Sequence, residues 1–277
     1  MNDFDLNKYL NNKEELPKLK RFSVLGSTTD YNKKLDYLIK IAEPEEWDQT
    51  DYHSGYENST IFYYIAHTFD RCFFQNKINI DEDENNAFFN TGLMDIQGNE
   101  IYGHFTKNKF HNEKDPESNF WYFKGFIKGN EREFITKCIN KPEIATYYDD
   151  YNELYFDPSL PIELNFDHFY DDNIKRLPLE LSSLEKDIAK SVFIGFLEYT
   201  KKKIRRNDRI PVPQFYNGKI TFLIPVVVFG TKTVIVAIEK INNVYIANTV
   251  LTFGMAYNCA RLLNKPESNW LLPTKTD

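Results

Sequence analysis

The chain is poor in cysteine, with three in 277 residues. Cys72, Cys138 and Cys259 stand far apart and form no CxxC pair and no zinc-ligand spacing. An odd count without a pairing pattern excludes a disulfide scaffold and points to a reducing cytoplasm. The opening MNDFDLNKYLNNKEEL is too charged for a secretory leader. Long apolar runs are lacking as well. The longest, Phe222 to Gly230, has about nine residues, far short of the roughly 20 that a membrane helix needs. No membrane contact is therefore expected. The glycine-rich phosphate loops GxGxxG and GxxxxGK[ST] are missing, and so are HExxH and GxSxG. Those absences argue against a dinucleotide oxidoreductase, a P-loop ATPase, a zincin and a nucleophile-elbow hydrolase. No two histidines have the i, i+4 helix spacing of a metal site, so no metal and no cofactor are expected. Net positive charge is lacking too, at −7 with a pI of about 5.4. That excludes a surface coated by nucleic acid but leaves room for one local basic site.

What is abundant is aromatic. With 23 Phe and 18 Tyr the chain can bury a large core, and disorder is excluded on composition. Residues 1–30 are polar and weakly periodic, and read as an arm ordered only in places. The spacing of Leu35, Leu38, Ile39 and Ala42 predicts a helix over 31–42, ended by Pro44. Ile61, Phe62, Ile65, Phe69 and Phe73 predict a second over 60–74, capped by Asn58 or Ser59. Strands are predicted over 87–90, 100–105 and 120–123, with 108–119 a polar loop. A short helix is expected over 142–150. The longest predicted helix spans 180–205, with Ser182 or Ser183 as its cap. Runs at 220–229, 234–239 and 244–251, separated by short turns, predict a three-stranded antiparallel meander. A helix from Thr252 then packs on one face. The fold class is α+β: a helical N-terminal part, a mixed or antiparallel sheet, the C-terminal meander and the packed terminal helix. Residues 31–277 are expected as a single domain, with a possible subdomain seam near 158.

Several residues carry chemistry. Lys201, Lys202, Lys203, Arg205 and Arg206, followed by Arg209, form a basic run in an acidic protein. They could hold phosphates, with the aromatics of Val212-Pro213-Gln214-Phe215-Tyr216 stacking on bases. The alternative is a solvated helix end complementing its dipole. His104 and His168 are candidates for acid–base work, since imidazole titrates near neutrality; each is also readable as a satisfied structural group. Asn90 and Thr91, on an aromatic strand that runs into a turn, could face a ligand or cap the turn. Asn258 and Arg261 are three apart on the terminal helix, and Arg176 ends the segment from Asp167. An arginine in an apolar helix either pairs with a buried carboxylate or grips an anion in a bidentate way.

Together the pieces FFNTGL (88–93), IYGHF (101–105), FWYFKGF (120–126), DHFYDDNIKRLP (167–178), VPQFY (212–216) and YIANTVLTFGMAYNCARLL (245–263), with NWLL (269–272), resemble a bacterial family of unknown function. Its members often follow an OST-HTH (LOTUS) domain, a predicted RNA-binding winged helix. The resemblance runs from about residue 35 to residue 272. It implies an RNA-related role by company, and no catalytic residue. The first 30 residues are too short for a winged helix, so that module is expected on a partner protein. Three readings follow. The first is a cytoplasmic domain that binds RNA or a nucleotide-like anion. The second is a metal-independent phosphodiesterase or ribonuclease. The third is an interaction module in a defence or stress complex.

Overall fold

The computed structural model describes residues 5–48 and 59–272, and for His168 the backbone alone. The chain divides into two compact units. The described residues up to Trp47 and from Ser59 to Thr146 form the first, and Asp48 with the described residues from Tyr147 onward forms the second. The division thus falls at 146/147, ahead of the expected seam near 158, where Pro158 and Pro161 lie inside the second unit.

The first unit opens with a short 3-10 turn, Leu6–Tyr9, then α1 (Lys18–Phe22) and β1 (Ser23–Val24). α2 (Thr28–Ile41) and α3 (Ser59–Phe74) follow, then β2 (Ile78–Ile80), β3 (Asn86–Met94), β4 (Glu100–Lys107), β5 (Trp121–Lys128) and α4 (Arg132–Lys137). α2 begins earlier than its apolar period suggests, because Ser27 and Asp30 close a reciprocal capping box ahead of it. The strands run β1-β5-β4-β3-β2, antiparallel except for the parallel β1–β5 pair. On one face Phe69 of α3 packs edge-on to Phe89 and Phe105. On the other, Phe88, Tyr102 and Ile127 bury Phe134 of α4. Gly103 is required by this packing: a Cβ there would lie 1.9 Å from a ring carbon of Phe89, its cross-strand partner.

One expectation is sharpened here and one corrected. Residues 1–30, read as an arm ordered only in places, carry the 3-10 turn, α1 and β1 over their described length. Leu6, Tyr9, Leu19 and Phe22 are all buried, and Ser23 and Val24 pair with β5. Four apolar side chains among many charges give no period, yet all four are buried, and Tyr9 and Phe22 pack on the rings of Phe120, Trp121, Phe69 and Phe105. No helix covers 142–150. The carbonyls of Ile144 and Thr146 accept instead from Lys77 Nζ (2.8 Å), Arg71 Nε (2.7 Å) and Gln75 Nε2 (2.6 Å). Side chains at the end of α3 and beyond it thus satisfy an extended backbone that a helix would have satisfied internally.

The second unit contains β6 (Ile162–Leu164), α5 (Phe166–Asn173), a 3-10 turn Ile174–Arg176, α6 (Leu179–Ser182) and α7 (Lys186–Ile204). Then come β7 (Val212–Tyr216), β8 (Lys219–Val228), β9 (Lys232–Ile241), β10 (Val244–Leu251) and α8 (Phe253–Arg261). Its sheet runs β6-β10-β9-β8-β7, with the expected antiparallel meander at its centre and β6 parallel to β10. Alternation sends Phe222, Ile224, Val236 and Ile238 to one face, against Phe169 and Phe193 of α5 and α7. Leu223, Ile235 and Ala237 face the other way, onto Ala256, Tyr257 and Ala260 of α8. The long helix starts at Lys186, not 180, and no serine side chain caps it. Tyr170 Oη donates to the carbonyls of Ser182 (3.2 Å) and Leu184 (3.5 Å), which holds the break between α6 and α7.

Candidate functional site

α7 is amphipathic for a plain reason. Ala189, Phe193, Leu197, Thr200 and Ile204 recur every three or four residues and are buried against the sheet. The period ends where the cations begin. Arg205 is the C-cap, and Arg206 donates from Nη1 to the carbonyl of Lys202 at 2.8 Å, satisfying one orphan carbonyl of the last turn. Lys201 is half-buried and paired with Glu198 at 2.6 Å. Lys203 Nζ lies 4.7 Å from the centre of the exposed Tyr199 ring. Lys202, Lys203, Arg205, Arg206 and Arg209 are exposed, and none of them makes an ion pair among the described residues. Beyond the helix, β7 exposes Tyr216, while Phe215 packs edge-on to Tyr147 at 4.9 Å.

Arg176 is exposed, but its Nη1 is engaged. It donates to Val250 O at 3.0 Å and to Asn173 Oδ1 at 3.2 Å. Asn173 is the hub. It is 1% exposed; its amide donates to Phe169 O, and its oxygen accepts from Thr249 Oγ1 and the Val250 N–H. Asn173 was not among the residues singled out from the sequence, because its partners on β10 lie more than 70 residues away. Asn173→Ala would strand a buried N–H and a carbonyl at the junction of α5 and β10. It is expected to destabilise the second unit by about 1–3 kcal/mol, read as a lower urea midpoint with unchanged slope. Arg176→Ala, at an exposed site, is expected to stay within about 0.5 kcal/mol.

On α8, Thr252 caps the helix through Met255 N at 3.3 Å. Arg261 is buried, at 8% exposure. Asn258 has neither amide atom exposed, and neither finds a hydrogen-bond partner. Gln214, across on β7, is buried with its Nε2 given to Thr221 Oγ1 (3.0 Å) and its Oε1 without a partner. Its signal in the sequence was a polar residue in register with buried Val212, on the face that α8 covers.

Asn90, Thr91 and His104 belong to the first unit. Asn90 donates to Glu100 Oε1 (3.0 Å) and accepts from the Gly92 N–H (2.9 Å). Thr91 Oγ1 donates to Ile101 O at 2.6 Å. Both sit where the β3–β4 register shifts between Asn90 and Leu93, and both side chains hold that irregularity. His104 is buried, stacks on Phe88 at 4.4 Å, and contacts Asn86 Oδ1 through Nε2 at 3.0 Å. Burial, with Lys124 adding to it, lowers its pKa to about 4. The ring is a neutral packing element. Because the unfolded value is about 6.5, its contribution to stability is complete above that pH and falls as the pH drops toward 4. A His104→Gln variant is expected to flatten that limb of the stability–pH curve. His168 lies on α5 of the second unit, and its side chain is outside the described residues.

The sequence-predicted residues are therefore divided between two units, with Asn90, Thr91 and His104 in one and the rest in the other. Among the described residues no group of three or more His, Cys, Asp or Glu is placed to hold a metal ion. No helix among them is long and apolar enough to cross a membrane. The cysteines are free, and burial raises the thiols of Cys138 and Cys259 to about 11 and of Cys72 to about 12, far from a reactive thiolate. Comparison with curated proteins and with solved structures gave no match. A family model does match, over residues 38–270, which is most of the chain and includes both units. The chain belongs to the family described as Domain of unknown function (DUF3825).

Proposed function

We propose that this protein binds RNA or a nucleotide-like anion through the basic end of α7. The observation that carries the reading is the set of five exposed cations from Lys202 to Arg209 without acidic partners. A helix C-terminus already carries partial negative charge, and one or two cations suffice to complement it. Five within eight residues exceed that need in a protein of net charge −7. Tyr199 and Tyr216, both exposed in the same unit, add ring faces of the kind that stack on bases. Arg176, exposed in the same unit, is a further donor, while Arg261 and the amide of Asn258 are buried and take no part in this surface. The likeness of its motifs to a family that follows OST-HTH domains supports the same ligand class. In this reading the domain works in the cytoplasm, beside a protein that contributes an RNA-binding module.

Filter binding at low salt, with single-stranded RNA, duplex RNA and mononucleotides, tests the reading. Affinity for at least one of them, weakening as salt rises, is expected, because phosphate contacts release counterions. No binding to any of the three, or binding indifferent to salt, would refute it.

A further inference from the structure

A second feature, in the first unit, has the same chemistry in a different form. The loop between β4 and β5 borders a groove of about 810 Å³. Lys107, Lys109, Lys114, His111 and Asn112 line it, with Glu113 as the acidic residue of the lining. The three lysines are exposed and form no ion pair among the described residues. Glu84, which feels the charge of Lys107, is already engaged by Lys8 (2.9 Å) and Tyr9 (2.8 Å). Between Lys109 and His111 stands Phe110, 91% exposed. A single exposed aromatic is ordinary; one held in water on a fixed loop beside unpaired cations needs a reason.

The loop is held. Asn108 donates to Asn119 O (2.9 Å) and accepts from the Phe110 N–H (3.0 Å), so the base of the loop is pinched and the ring's own backbone anchored. The N-terminal segment ties down the far side. Asn12 N donates to Pro116 O (3.1 Å), and Asn119 Nδ2 donates to the carbonyls of Lys20 (2.9 Å) and Arg21 (2.8 Å). Lys107 lies 5.2 Å from the centre of the Phe120 ring, and His111 meets the same ring edge-on. The ordering cost of a polar loop has thus been met in the folded state, which is what a binding loop requires.

We infer that this loop is a binding site for single-stranded nucleic acid, with Phe110 stacking on a base and Lys107, Lys109 and Lys114 contacting the flanking phosphates. Single strands are favoured over duplex because only an unpaired base offers a free face to a ring on a loop. The ligand class rests on the reading of α7 above, but the residues are different and belong to the other unit.

The test is binding of a labelled single-stranded RNA of about 12 nucleotides to the full chain over a salt series. Three variants are compared: Phe110→Ala, a triple Lys107→Gln, Lys109→Gln, Lys114→Gln, and a variant with the α7 cations neutralised. All the altered side chains are exposed, so the two loop variants are expected to melt near the parent, and the α7 variant lower by no more than its lost dipole and helix-end interactions allow. Phe110→Ala is expected to weaken binding about tenfold and leave the salt slope unchanged, since stacking releases no counterions. The triple variant is expected to reduce the slope by about 2, at about 0.7 per lost phosphate contact. Duplex RNA is expected to be insensitive to Phe110→Ala. If both loop variants bind like the parent while the α7 variant binds weakly, the loop inference falls and the α7 reading stands. If the α7 variant binds like the parent and the loop variants do not, the loop stands alone. A parent chain that binds no single-stranded RNA overturns the loop inference, and overturns the α7 reading as well only if duplex RNA and mononucleotides also fail to bind.

Discussion

Phe22→Ala is expected to destabilise the protein by about 3–5 kcal/mol, the range for removing a fully buried phenylalanine. Phe22 ends α1 in a stretch whose sequence is mostly charged, yet it has no exposed surface. Its ring lies 5.1 Å from Phe105, 5.2 Å from Phe69 and 6.0 Å from Trp121, stacked on the last at 18°. These neighbours come from three different elements, β4, α3 and β5. They cannot all collapse into the space the ring leaves, so the cavity persists and adds to the lost transfer energy. Trp121 gives a direct readout: its fluorescence reports unfolding of the first unit. A loss of this size lowers the melting temperature of a protein this long by roughly 6–20 °C. A polar arm lying loosely outside the core would lose less than about 0.5 kcal/mol on the same substitution. Melting curves that coincide would show that residues 5–24 are not part of the first unit's core.

The parts of the fold that were legible in the sequence are those in which one segment contains its own pattern. β8 and β9 are continuous apolar runs and β10 alternates, each strand having eight to ten residues and tight turns joining them, so the meander can be read locally. α3 shows its buried stripe over 16 residues. The parts that escaped are short or depend on distant partners. β1 and β6 have two and three residues and exist only because β5 and β10 offer an edge. β7 contains Pro213, which argues against a central strand; it is tolerated because β7 is at the sheet edge. The N-terminal segment buries Leu6, Tyr9, Leu19 and Phe22 without any period at all.

The candidate site divides in the same way. The cations from Lys201 to Arg206 are interrupted only by Ile204, so their clustering could be read directly, and only Lys201 turned out to be partnered by an acid among the described residues. Asn258 stood out as a polar residue in an apolar helix, but its lack of any partner is a property of the packed structure. The network around Asn173 joins α5 to β10 and leaves no local trace in the sequence. The groove beside Phe110 could be read only as a polar loop. Its form depends on Asn12, Lys20 and Arg21, far away in the chain.

Neutralising Lys202, Lys203, Arg205 and Arg206 together to glutamine is expected to weaken RNA binding at moderate salt by about a hundredfold. Each phosphate contact to a single strand contributes about 0.7 to the slope of log affinity against log salt, so four lost contacts flatten it by about 3. The fold tolerates the change, because these side chains project from the solvent side of α7 while Phe193, Leu197 and Ile204 hold it to the sheet. Loss of favourable dipole interactions costs stability of about 0.3–1 kcal/mol per cation at most, which a melting curve separates from loss of binding. Glutamine keeps the first two methylenes of each stem and a polar, uncharged tip, so the charge is removed with little change to the helix end. The decisive measurement is the salt dependence of RNA affinity for the parent chain and this variant, side by side. The account predicts a steep slope for the parent, a shallower one for the variant, and curves that converge at high salt. Equal affinities and equal slopes for the two proteins would contradict it.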